Sequence, residues 1–293
     1  GKAPWKLLLP YTLCILAIGP IIGEQYDIIP AIFTLLALYC FWLGKHKTSW
    51  VFLALGVMTK IYPVVIAPIF IIWYIRNRQY RLIWTNLLIF AGICLAIVLP
   101  FLVISPDSIW NLFSYHSQRG IQIESTYASL LLAVALLGLS PVGLIMNFGS
   151  WNIESPVADV IAGLSTFLLV FFLILSFWFI YRQTRPGEAQ IARLGACSLL
   201  VVSITLITSK ILSPQYLIWL IPLVPLILTR WRHAVLGVFI GAGIMTYYIF
   251  PHNYLSLLNL DPGVVTVLIL RNILVVLITW LSVLSLQDMK TSD

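Results

Sequence analysis

The chain is 293 residues long, 61% hydrophobic and only 9% charged, with a formal net charge of +7. Soluble domains carry about 25% charged residues, and a soluble fold has no place for several apolar runs long enough to cross a bilayer, so a soluble globular domain is excluded. The basic excess comes in twos and threes between apolar runs, the pattern of cytoplasmic loops, and this excludes a nucleic-acid footprint.

Taken in chain order, the first apolar run, 5–22, leads into the polar stretch Gly23-Glu24-Gln25-Tyr26-Asp27. The second, 28–43, ends at Lys45-His46-Lys47. The positive-inside rule places that basic loop in the cytoplasm and so puts Glu24 and Asp27 outside. Basic loops flank 49–75 on both sides, so this segment must go up and come back. Each arm is too short for a hydrocarbon core of about 30 Å, which predicts a hairpin of two short helices. Its tip carries Lys60-Ile61-Tyr62-Pro63, broken where Pro63 disfavours helix at Tyr62.

The run 82–104 crosses outward to a long outer loop, 105–125. The segment 126–147 is apolar but interrupted by Gly138, Ser140-Pro141 and Gly143. Because 157–181 ends at Arg182 and Arg185 and must start outside, 126–147 either dips in and returns or lies at the outer interface. Then 190–208 goes out to Ser209-Lys210, 216–228 comes back to Arg230-Trp231-Arg232, 234–250 goes out, and 263–286 returns with Arg271 in its outer part. The expected fold is all-α and polytopic, a single domain over 1–293 with about 8–11 transmembrane or re-entrant helices. Cys14, Cys40, Cys94 and Cys197 all lie in apolar runs without a CxxC, and read as core residues. No metal site or cofactor motif is present in the sequence, and no inverted repeat of the transporter kind.

This threading places 13 of the 17 Lys and Arg inside. The exceptions are Lys60, Arg119, Lys210 and Arg271. A cation at the outer face or within hydrocarbon costs free energy unless it acts there. Lys60 at the hairpin tip is either a functional charge or a lysine reaching water along its own stem. Tyr115-His116-Ser117-Gln118-Arg119 to Glu124 offers an imidazole, a guanidinium suited to phosphate oxygens and a carboxylate, or else a plain Arg–Glu surface pair. Lys210 with Ser213-Pro214-Gln215-Tyr216 puts a cation beside a helix start, a seat for phosphate or simply a capped helix. Asp27 is either a general base or a helix N-cap. Arg271 reads as structural, held by helix carbonyls or an outer acid.

Together these fragments resemble glycosyltransferase family 87, polytopic sugar transferases of the GT-C class. The matching pieces are Gly23-Glu24-Gln25-Tyr26-Asp27-Ile28-Ile29-Pro30, Thr59-Lys60-Ile61-Tyr62-Pro63 with Pro68, Arg119-Gly120-Ile121-Gln122-Ile123-Glu124-Ser125, and Ser213-Pro214-Gln215-Tyr216-Leu217-Ile218-Trp219 with Pro222. The resemblance implies a GT-C-like helix bundle in a bacterial plasma membrane. It implies a polyprenyl-phosphate-sugar donor, usually mannose, and transfer on the extracytoplasmic side to a lipid or glycan acceptor; no cofactor is expected, and a divalent metal is left open. On that basis Lys60, Arg119 and Lys210 hold the donor phosphate, Asp27 and Glu124 are the candidate catalytic acids, and His116, Tyr62, Gln215 and Tyr216 position sugar or acceptor. Such enzymes also carry a catalytic carboxylate in the first large outer loop. Here the first span looks like a later one, so the resemblance implies a longer protein, or a base drawn from Asp27 or Glu124. The rival class is a transporter or flippase for a lipid-linked anion.

Overall fold

A computed structural model describes residues 5–187 and 189–291. The chain runs α1 (Trp5–Ile18), α2 (Ile21–Glu24), α3 (Ile28–Trp42), α4 (His46–Thr59), a 3₁₀ turn (Tyr62–Ile66), α5 (Ala67–Arg76), α6 (Tyr80–Ile104), α7 (Asp107–Gln118) and α8 (Thr126–Leu136). An antiparallel pair, β1 (Gly143–Asn147) and β2 (Ser150–Glu154), comes next. Then follow α9 (Pro156–Gln183), α10 (Ile191–Thr208), 3₁₀ segments Pro214–Leu220 and Val224–Leu226, α11 (Arg232–Tyr247), a π turn (Tyr248–His252), α12 (Tyr254–Leu258) and α13 (Pro262–Thr291). Among the described residues, five helical spans are long and apolar enough to cross a membrane, and five more apolar helical segments are shorter. The chain is an α-helical polytopic membrane protein.

Helix starts follow local rules. Ser125 Oγ accepts the Ala128 N–H and Ser155 Oγ accepts the Ala158 N–H, capping α8 and α9. Asp261 Oδ1 accepts the Val264 N–H above Pro262 at the start of α13. The most buried long helix is α10, two-thirds buried along its apolar window, whereas the window in α6 is wholly unburied and faces outward. Packed around α10 are α9, α13 and the 3₁₀ segments, and α11 joins α1 to α13. Gly195 makes one approach possible: a Cβ there would stand 2.4 Å from that of Leu226.

The chain folds back between α4 and α5. Gly56 lies against Pro63, Trp50 Nε1 donates to the Tyr74 hydroxyl at 3.2 Å, and His46 packs on Trp73 and Tyr74. The base of α5 is therefore beside the start of α4, and Lys60 is at the tip. Basic loops gather at the opposite end: Arg76 donates to the Thr184 carbonyl, Asn77 accepts the Gly187 N–H, Arg193 donates to the Met289 carbonyl, and Arg230 pairs with Asp288 at 3.1 Å.

Three segments differ from expectation. Most of 105–125 is not open loop: it forms α7. The apolar run 126–147, expected to dip in and return or to lie at the outer interface, is not wholly helical. It is the half-length helix α8, a turn and then a β-strand, because Gly138 at φ +70° ends the helix and β2 offers a pairing edge. The stretch after Ser213 is not an α-helix. Pro214, Pro222 and Pro225 leave 3₁₀ turns, which rise about 2.0 Å per residue and so carry a short chain far. Leu217 to Leu220 are at most 5% exposed, and irregular backbone at membrane depth is tolerated where protein surrounds it. Cys14, Cys40 and Cys197 are buried, as core residues should be, while Cys94 is half-buried.

Candidate functional site

The hairpin tip is where α4 stops. Lys60 leaves the helix with extended backbone, and its ammonium donates to Asp27 Oδ1 at 2.7 Å. Asp27 stands in the N-cap position of α3 but makes no cap hydrogen bond. Its Oδ1 instead takes Lys60 and the Trp219 indole N–H, the latter at 2.6 Å, while Oδ2 is buried without a partner. The helix-cap alternative for Asp27 and the free-lysine alternative for Lys60 are both set aside by this pair. The Lys60 side chain is 18% exposed and that of Asp27 1%. Aromatic faces complete the surroundings: the ammonium lies 4.7 Å from the Tyr216 ring centroid and 5.3 Å from those of Tyr26 and Trp219. Tyr62 stacks on Trp219 at 4.1 Å and donates to or accepts from Thr34 Oγ1 at 3.3 Å.

A second cationic group sits at the same end. Lys210, just past the end of α10, donates to the Ser117 carbonyl at 2.9 Å. Arg119, just past α7, donates to Ser150 Oγ at 2.9 Å and keeps a buried Nε without a partner. Among the described residues neither cation forms an ion pair. The Lys210 ammonium is pushed below its ordinary range by burial and then by the charge of Arg119. His116 is likewise lowered, by burial first and then by Arg119 and Lys210. Tyr216 lies within electrostatic reach of both Arg119 and Asp27, so it bridges the two groups.

Glu124 has other partners. It does not pair with Arg119, so the surface ion-pair alternative fails. It is 2% exposed, and burial pushes its carboxyl up to about 7 against the opposing charge of Arg271. Arg271 Nη2 and Asn272 Nδ2 both donate to the Glu124 carbonyl, at 3.1 and 3.2 Å, so Arg271 meets a loop carbonyl where helix carbonyls or an outer acid were expected. Gln122 ties this loop onward, its Nε2 donating to Glu124 Oε2 at 3.3 Å and its Oε1 accepting the Leu212 N–H at 3.0 Å.

The structure thus brings Lys60, Asp27, Tyr62 and Tyr216 together, sets Arg119, Lys210 and His116 beside them, and places Gln215 half-buried next to Tyr216. The Glu124 carboxylate meets Gln122 and faces the charge of Arg271. Sequence reasoning passed over Trp219, Gln122 and Asn272. Trp219 stood in a motif, but an indole in an apolar run gives no sign that its N–H will meet a carboxylate 192 positions away. Among the described residues no cluster of His, Cys, Asp or Glu could hold a metal ion.

Fold and site together define a polytopic membrane protein that gathers cations, buried carboxylates and stacked aromatic rings at one end of its helices, a place suited to an anionic group. The model of Glycosyltransferase family 87 matches residues 1–204, and the chain belongs to that family. It is a membrane glycosyltransferase, acting on a sugar donor and an acceptor. No curated protein and no solved structure matches the chain. Lys210, Gln215, Tyr216, Trp219 and Arg271 lie beyond the matched segment.

Proposed function

We propose that the enzyme moves a hexose, mannose, from a polyprenyl-phosphate-sugar donor to a lipid or glycan acceptor on the extracytoplasmic face of a bacterial plasma membrane. The observation that carries this reading is the unneutralised pair Arg119 and Lys210 beside the Asp27-bound Lys60. Two cations that form no ion pair among the described residues, half-buried at helix ends, suit the phosphate of a lipid donor. Charge bias along the chain puts that end outside.

In the reaction the bond between the sugar C1 and the phosphate oxygen breaks, and its electron pair stays on polyprenyl phosphate. The acceptor oxygen bonds to C1 and its proton passes to a carboxylate. Arg119 and Lys210 stabilise the charge that grows on the leaving phosphate, and Lys60 turns from Asp27 to join them. That movement uncovers Asp27, whose second oxygen has no partner, to take the acceptor proton. Glu124 holds the 119–125 loop in place. His116, Gln215, Tyr62 and Tyr216 bound the sugar and acceptor.

The test uses membranes carrying the full-length protein and radiolabelled polyprenyl-phosphate mannose. Arg119→Ala and Lys210→Ala each reduce transfer by about 10²–10³, as for loss of a donor to a developing oxyanion. Glu154→Ala, at the exposed end of β2, keeps activity. If both cation variants transfer as fast as Glu154→Ala, the phosphate clamp is wrong. Movement of labelled lipid across vesicles with no glycosidic product would favour a transporter.

A further inference from the structure

The carboxylate of Asp27 has two partners of unlike character. Lys60 reaches it along a flexible stem and is part-exposed. Trp219 is fixed. Tyr62 stacks on its indole at 4.1 Å and 4°, and Tyr216 stacks on it at 4.2 Å and 22°. Two nearly parallel rings this close to one indole centre cannot share a face, so the tyrosines cover opposite faces. Trp219 is 5% exposed and sits in the 3₁₀ segment Pro214–Leu220, whose neighbours Leu217, Ile218 and Leu220 are fully buried.

We infer that Trp219 is a positioning residue for donor binding: its clamped indole N–H holds the Asp27 carboxylate and so frees the Lys60 ammonium to engage the donor phosphate. This rests on the reading that Lys60 meets that phosphate. A buried carboxylate that loses a partner without replacement is strongly disfavoured. With Trp219 in place, Asp27 keeps one charge-assisted hydrogen bond when Lys60 turns away. Without that N–H, Lys60 becomes the only partner and is pinned to Asp27. The indole therefore affects donor affinity without touching the donor.

The test measures equilibrium binding of polyprenyl monophosphate to the purified full-length protein in detergent, a readout that does not need turnover. Trp219→Phe keeps a six-membered ring in the stack and deletes the donor together with the rest of the indole. It should weaken binding about tenfold, the effect of one hydrogen bond to a charged group. Replacing Trp219 with its benzothiophene analogue removes the N–H without changing shape, and should do the same if the phenylalanine variant folds poorly. In an Asp27→Asn background no carboxylate holds Lys60, so Trp219→Phe should then change binding by less than about twofold, as a double-mutant cycle reads coupling. Equal weakening in both backgrounds would mean a merely structural role and overturns the inference, as does unaltered binding by the benzothiophene protein. If instead Lys60→Gln leaves binding unchanged, the phosphate role of Lys60 itself is wrong.

Discussion

Gln122 Oε1 accepts the Leu212 N–H at 3.0 Å, joining two loops 90 positions apart. The same side chain reaches Ser213 Oγ at 3.2 Å, and the Gln122 N–H donates to the Lys210 carbonyl at 3.0 Å. The loop bearing Arg119 is thereby registered against the loop bearing Lys210. Gln122→Leu leaves the buried Leu212 N–H without a partner. It should destabilise the protein by about 1–3 kcal/mol and lower transfer. Thermal unfolding in detergent checks the first, and the membrane transfer assay the second.

Glu124 predicts a pH dependence of stability. Its carboxyl is raised from 4.5 to about 7 by burial, so the folded state holds a proton that the unfolded state has released across that interval. A raised acid contributes stability that is complete below the unfolded value and is lost as pH rises through the folded one. The cost on going from pH about 4.5 to about 7 is roughly 3 kcal/mol. The facing groups are Arg271, Gln122 and Tyr254. Glu124→Gln should flatten this slope in melting temperature against pH. An unchanged slope would show that Glu124 does not titrate there.

Gly195 predicts a packing limit. A Cβ at this position meets Leu226 at 2.4 Å, inside the contact between α10 and the 3₁₀ segment Val224–Leu226. Gly195→Ala should cost about 1–3 kcal/mol through overpacking. Gly92→Ala on α6, where nothing lies within 4 Å, should be neutral or slightly stabilising. The comparison is made by melting temperature of the two purified variants.

Sidedness is open to cysteine labelling. The turn between α5 and α6 joins the basic end, and α7 lies at the Lys210 end. A membrane-impermeant maleimide added to intact cells should label Gln118→Cys and spare Gln79→Cys, with the reverse in inverted vesicles. Labelling of position 79 from outside would reverse the threading.

Much of this protein is legible from hydropathy and charge, because both act locally. A run of apolar residues must enter lipid and a basic loop stays behind, wherever the rest of the chain goes. That is enough for the polytopic class, the short hairpin, the break at Pro63 and the singling out of Lys60, Arg119, Lys210 and Arg271. Short-range rules also explain the serine caps of α8 and α9, which the sequence reading did not single out. They fail at 126–147, where apolar composition serves a helix and a strand equally and only the edge of β2 selects pairing. They fail after Ser213 too, where an apolar run looks α-helical although three prolines and a largely buried path make it 3₁₀.

Partner choice was decided by the tertiary structure alone. The sequence marks Asp27 as an acid at a helix start. Only folding sets Lys60 and Trp219 on one of its oxygens in place of the backbone, and turns Glu124 away from Arg119 toward Arg271. Hydropathy records how much a side chain prefers lipid to water, a property each residue carries by itself. A hydrogen bond inside the bundle needs two groups within about 3 Å at a suitable angle, and that coincidence of distant positions exists only once the helices have packed.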